Sequence, residues 1–290
     1  MLLEKKGALT IQRIRDLWKY GFIKSYEKHD DTQIQPASLD LRLSRKCWKT
    51  DVSFLPGKNK TVSQKLSILS TKEIDIEEET LLEKGCVYLV PLLEVLKLPT
   101  DIQAAANAKS STGRLDLLTR TISDSGEEFD RISSGYSGKL YAEICPRSFS
   151  VLVRTGMKLN QIRFRNKNTT LNDESLKALH AKEKLVPGNA IIDDGLGFSV
   201  DLQPSHGNLV GYRAKPHTGI IDLDLIDHYD PTEFWDEIRT SCGEIILDPG
   251  AFYILVSRES VHIPPGYAAE MAPYVAMVGE FRVHYAGFFD

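Results

Sequence analysis

The sequence predicts a mainly β protein, two tandem β-rich lobes preceded by a short N-terminal helix. Three observations carry this prediction. Apolar and polar residues alternate through most of the first half, one set of residues returns at a fixed distance in the second half, and one run near the start has helical spacing. With 290 residues, 42% of them hydrophobic, the chain is long enough to bury a core and to divide into two domains.

Residues 10–20 place Ile11, Ile14, Leu17 and Trp18 on one helical face, with Thr10 as N-cap and Gly21 as stop. QPASLDLRLS (35–44) sets Leu39, Leu41 and Leu43 against Asp40 and Arg42, which predicts a strand with one polar face. The helix is expected to cover that sheet. From 47 to 79 the pattern weakens, and a Pro56-Gly57 turn with short alternations at Leu66, Ile68 and at Ile74, Ile76 predicts short strands and loops. EKGCVYLVPLLEVLKLP (83–99) reads as a turn with two β-rich runs, and residues 148–165 as two strands about Thr155-Gly156. Residues 166–197 turn polar, with a short helix over 173–184 and a Pro187-Gly188 break. They read as a linker between a first lobe, 1–165, and a second, 198–290.

The second lobe repeats the first. Ser38-Leu39-Asp40-Leu41 returns as Ser199-Val200-Asp201-Leu202. Leu82, Gly85, Tyr88, Glu94, Pro99 and Ala104 return as Leu247, Gly250, Tyr253, Glu259, Pro264 and Ala269, at a constant offset of 165 (247 minus 82). At the same offset KSSTGR (109–114) becomes YVAMVG (274–279), its polar groups replaced by apolar or small residues. A site is therefore expected in the first copy, with the second degenerate. The second copy reaches Asp290 before any counterpart of 141–143, so it is expected to continue further.

Charge and composition narrow the partners. A net charge of -4 offers no global field for nucleic acid or for an anionic membrane. Cys47, Cys86, Cys145 and Cys242 have no C-x-x-C spacing, which argues against a zinc knuckle or a disulfide framework and for a reducing cytoplasm. No apolar run reaches the length of a membrane span. Phosphate-binding loops of the G-x-x-x-x-G-K-[ST] and G-x-G-x-x-G types are absent, as is the H-x-E with P-C-x-x-C zinc deaminase signature.

The stretch 109–143 carries the candidate chemistry. KSSTGR puts two cations and hydroxyls around Gly113, where a tight turn would aim N–H groups and side chains at phosphate oxygens; such a run also serves as a plain solvated turn. Residues 139–144 alternate as a strand, with Leu140, Ala142 and Ile144 on one face and Lys139, Tyr141 and Glu143 on the other. Glu143 projects either toward an enclosed site or onto a wet face.

In QPASLDLRLS, KSSTGR, RISSGYSGKLYAEI and GMKLNQIRF, in that order, the sequence resembles the dCTP deaminase branch of the dUTPase superfamily, and its tandem arrangement is similar to the double-length bacterial subgroup. The resemblance implies dUTPase-like β-barrel or jelly-roll lobes and a homotrimer with active sites between subunits. It also implies Mg2+ carried on the substrate triphosphate, and hydrolytic deamination of dCTP to dUTP and ammonia without zinc. It places the catalytic glutamate on Glu143, the positioning serine on Ser110 and the paired arginine on Arg114, with Lys109, Ser111 and Arg131 on the substrate and its phosphates. Ser133 stands where the family often has Asp, and the hairpin between Arg114 and Arg131 is longer than in single-domain members. The alternatives are a bifunctional enzyme that also cleaves the triphosphate and a non-catalytic nucleotide-binding regulator.

Overall fold

The computed structural model describes residues 6–167, 170–203, 207–272 and 288–289. The run 274–279, set against KSSTGR above, lies outside the described residues. The chain is mainly β, with 37% strand against 15% helix. Two compact units form. The first comprises residues 1–168, 220–224 and 268–290, the second residues 169–219 and 225–267. The segment read as a linker thus lies, from 169 on, in the second unit.

The first unit opens with β1 (Gly7–Ala8), α1 (Ile11–Lys19), β2 (Ile23–Ser25), β3 (Leu39–Arg42) and β4 (Lys46–Thr50). α2 (Val62–Leu69), β5 (Ser70–Asp75), β6 (Thr80–Leu82), β7 (Val87–Lys97) and β8 (Ile102–Ala108) follow. Then come α3 (Ser110–Gly113), β9 (Leu117–Ser123), β10 (Arg131–Ile132), β11 (Ser137–Pro146), β12 (Val151–Val153) and β13 (Lys158–Asn166). One sheet runs β1-β13-β8-β10 with β3 also on β13, and a second runs β5-β4-β7-β11-β9 with β2 also on β7.

In the second unit lie α4 (Asp173–Glu183), β14 (Leu209–Ala214), α5 (Pro231–Phe234), β16 (Trp235–Arg239) and β17 (Tyr253–Leu255), with β14 between β16 and β17. Between β14 and α5 the chain returns to the first unit as β15 (Ile221–Asp222), which pairs in parallel with β12. There Arg154 meets Asp222 and Asp224 at 2.7 Å each and Glu79 at 2.9 Å. β18 (Ala269–Glu270) and β19 (Phe288–Phe289) pair with each other.

α1 and α4 match the sequence expectation, and Gly21 ends α1 at φ +73°. β3 differs from it. All four of its residues are buried, Asp40 and Arg42 included, so the polar face is an interior one. Arg42 makes this possible by meeting Glu94 at 2.9 Å, while Gln33 donates to the same carboxylate. α2 also differs. Leu66 and Ile68, read as a strand alternation, sit on a helix whose start is fixed by a capping box between Thr61 and Gln64. Val62 and Leu66 bury against Leu89, Ile122 and Tyr141, which secures the helix on the sheet.

The same local bonds recur in the two units. Glu83 N–H donates to the Tyr88 hydroxyl at 3.0 Å, and Asp248 N–H to that of Tyr253 at 2.8 Å. Lys49 pairs with Glu83 at 2.7 Å, and Arg213 with Asp248 at 2.9 Å. Gly85 and Gly250 turn at φ +80° and +75°. Arg42 N–H donates to Glu94, and Ser199 N–H to Glu259, at 2.8 Å each. The donor beside Glu94 is thus Arg42 and not Ser38, four residues away from where the likeness of Ser38-Leu39-Asp40-Leu41 to Ser199-Val200-Asp201-Leu202 would put it.

Glu94 is fully buried, and Glu94→Leu strands the Arg42 guanidinium in the core. The substitution should cost about 3–5 kcal/mol, and Arg42→Met in the same chain should recover much of it. Urea unfolding of both variants measures the difference.

Candidate active site

β11 lies between β7 and β9, and its register sets Glu143 opposite Leu89 on one side and Arg120 on the other. Facing residues of an antiparallel pair share a sheet face, so Arg120 and Glu143 meet by construction. The Arg120 Nη2 and Nε atoms lie 2.5 and 3.1 Å from one carboxylate oxygen, Oε1. Among the described residues no protein group donates to Oε2. Glu143 is only 2% exposed, which replaces the wet-face reading with an enclosed one.

Arg120 is itself held. Its guanidinium carbon stacks 3.7 Å from the centre of the Phe129 ring, and Nη2 reaches the Ser53 hydroxyl at 3.0 Å. The next residue, Asp130, locks the hairpin end. Its Oδ1 accepts from Thr121 N–H at 2.7 Å, its own N–H donates to Thr121 C=O at 2.8 Å, and its backbone sits at φ +61°. Burial pushes the Asp130 carboxyl up to about 7, against the pull of Thr121 N–H and of Arg120, with the Glu143 charge adding to the rise. Two carboxyl groups thus share the field of one arginine. Glu143 holds the ion pair and Asp130 is the one that retains a proton toward neutral pH.

The turn before β11 explains its glycines. Gly135 takes φ +71°, and a Cβ on Gly138 would come within 2.6 Å of the Tyr136 hydroxyl. That hydroxyl donates to Lys139 C=O at 2.5 Å and accepts from Asp124 N–H at 3.0 Å, which ties the start of β11 to the end of β9.

KSSTGR folds as one helical turn, not as a tight glycine turn. Lys109 is its N-cap, Gly113 N–H donates to Lys109 C=O at 2.9 Å, and Gly113 is not among the left-handed residues. Thr112 and Gly113 are buried, while Ser110, Ser111 and Arg114 face outward. The Lys109 ammonium pairs with Asp40, whose carboxylate is buried. Arg131 is exposed and pairs with Glu128 at 2.9 Å. Among the described residues no hydrogen bond or ion pair joins Ser110, Ser111, Arg114 or Arg131 to Glu143, and Arg114 makes no ion pair. The arginine on Glu143 within one chain is Arg120, which sequence reasoning missed. Its signal was the alternation Leu118, Arg120, Ile122, readable only once β9 is paired with β11.

Asp130 predicts a pH dependence of stability. Its folded pKa is raised, so its contribution is fully present below the unfolded carboxylate range and is lost as pH rises from about 4 through about 7. Asp130→Asn should remove up to about 1.4 kcal/mol of that decline per pH unit, seen as a flatter urea midpoint between pH 5 and 8 than in the parent protein.

Residues 5–168 match the N-terminal domain, and residues 172–290 the C-terminal domain, of 2'-deoxycytidine 5'-triphosphate deaminase. A protein of Sulfurihydrogenibium sp. named "dCTP deaminase, dUMP-forming" is 29% identical over 156 residues, 53% of this chain and 78% of its own length. One of the same name from Nocardioides sp. is 30% identical over 139 residues, 48% of this chain and 69% of its own. The crystal structure of 2'-deoxycytidine 5'-triphosphate deaminase from Agrobacterium tumefaciens superposes with a TM-score of 0.94 at 49% identity, covering 98% of this chain and 86% of that one. The product in the relatives' names is dUMP, where the sequence led us to expect dUTP. The two domain matches together span nearly the whole chain, and it belongs to the dCTP deaminase family.

Proposed function

We propose that this chain deaminates dCTP hydrolytically, with Glu143 as the group that moves protons. The carrying observation is the enclosed Glu143 carboxylate, Arg120 on Oε1 and Oε2 open. Attack of water at carbon 4 of cytosine needs a base for the water proton, then an acid for ring nitrogen 3 and the departing amine. One enclosed carboxylate serves both in turn. We take the released product to be dUMP, as in the relatives' names, so that deamination is accompanied by loss of diphosphate. The 49% identical neighbour carries the deaminase name alone, which supports deamination as the primary step.

The outward groups of α3 suit a triphosphate. Ser110, Ser111 and Arg114 offer hydroxyls and a cation, while the Asp40 carboxylate is taken by Lys109 and that of Asp116 accepts from Ser148. This donor set fits phosphate oxygens, and Mg2+ would be held by those oxygens in place of a protein carboxylate. It supplies charge neutralisation on the triphosphate; the proton steps remain with Glu143.

Because α3 and Glu143 are not bonded within one chain, we propose a homotrimer in which Ser110 and Arg114 of one copy complete the site around Glu143 of the next. The recurring hydrogen bonds, one with both partners at the 165-residue offset and one with its acceptor glutamate there, support two tandem lobes of one dUTPase-like origin, the second degenerate and linked through the polar stretch that starts at 166. The absence of a membrane-crossing helix among the described residues is consistent with a cytoplasmic setting, which we also propose.

Incubation with dCTP and magnesium should yield ammonia and dUMP. Accumulation of dUTP would overturn the second step, and cleavage of added dUTP to dUMP with no ammonia released from dCTP would point to a diphosphatase alone. Glu143→Gln should lower kcat by about four orders of magnitude with KM little changed. Arg114→Ala should also be inactive, and co-expression of the two variants should restore activity through mixed trimers. No recovery from mixed oligomers would place both groups in a single-chain site.

A further inference from the structure

Glu143 stands on a strand, but a strand fixes only its Cα and Cβ. A glutamate has three side-chain torsions, and misplacing a reacting oxygen by about 1 Å costs on the order of 100-fold in rate. Something must hold the carboxylate. Both Arg120 donors converge on Oε1, at 2.5 and 3.1 Å, and leave Oε2 to the reaction. A fork spread over both oxygens would have taken one acceptor direction on each.

The fork is in turn fixed from beneath and from the side. The Phe129 ring centre lies 3.7 Å from the guanidinium carbon, and Nη2 also reaches the Ser53 hydroxyl. Phe129 is placed by Asp130, whose side chain and backbone both bond to Thr121 and whose carbonyl accepts from Ala106 N–H at 2.8 Å. Because Thr121 neighbours Arg120 on β9, one strand carries both the arginine and the anchor of its stacking partner.

We infer that Arg120, stacked on Phe129, is a positioning residue that holds the Glu143 carboxylate with one oxygen capped and the other presented to the reacting water. This rests on the deaminase reading above. It assigns the hairpin 117–130 a task in catalysis separate from substrate contact, and it makes the Phe129 ring part of that task although the ring carries no reactive group.

The test compares ammonia release from dCTP by the parent, Arg120→Ala and Phe129→Leu, with folding checked by circular dichroism. Arg120→Ala should lose about 100-fold in kcat with KM within about threefold of the parent. Guanidinium chloride at non-denaturing concentration should restore at least about fivefold of that loss, while sodium chloride at the same ionic strength should not. Phe129→Leu keeps the charge and removes the stacking face, and should lose about tenfold in kcat at unchanged KM. If Arg120→Ala does not fold, Phe129→Leu decides alone. A parent-like kcat in either folded variant, a loss confined to KM, or equal rescue by both salts overturns the inference. A parent that releases no ammonia overturns the deaminase reading, and this inference with it.

Discussion

Burying carboxylates imposes the condition on which the first unit depends: each one must be matched where it is desolvated. Glu94 is matched by Arg42 and Gln33, Asp40 by Lys109, and Glu143 by Arg120. Asp130 takes a backbone N–H, and its carboxyl is pushed up to about 7 by burial. The first two matches are architectural, since they join β3 to β7 and to the start of α3. The other two meet β9, Glu143 through Arg120 and Asp130 through Thr121, so the same strand serves both. The candidate site is therefore continuous with the core and is not an addition to its surface.

Much of this was legible in the residues. The alternation from Lys139 to Ile144 placed Glu143 opposite in face to Leu140, Ala142 and Ile144, and those three are buried on the other side of the strand. Thr10 and Gly21 bounded α1, and residues 173–184 announced α4. What escaped detection was non-local. Leu66 and Ile68 satisfy a two-residue period as readily as a helical one, and the choice lay in Thr61 and Gln64, a cap signal weaker to the eye than apolar alternation. Arg120 carried no motif of its own. Its meaning comes from register with a strand twenty residues later, which periodicity along one strand does not supply.

The bonds that recur in the two units show what residue identity does and does not measure. Lys49 and Glu83 in one become Arg213 and Asp248 in the other, so neither residue is kept while the ion pair is. Conversely, Ser38 to Leu41 and Ser199 to Leu202 look alike but occupy different places relative to their neighbouring strands, as the N–H groups donating to Glu94 and Glu259 reveal. Backbone donors and their acceptors are set by strand geometry and tolerate substitution. A four-residue likeness in an apolar-polar alternation arises from the period of the strand itself.

The return of the chain as β15 has a consequence for how the protein can be divided. A polypeptide ended at residue 168 would retain every group of the candidate site, yet β12 would lose its parallel neighbour and keep only β6. Arg154 would be left with Glu79 alone of its three carboxylates. The freed edge is short but carries Val151 and Val153, the kind of open β margin through which chains adhere to one another. Residues 221–224 thus brace β12 and Arg154 from far along the chain, and a truncation that spares the candidate site still removes part of the first unit.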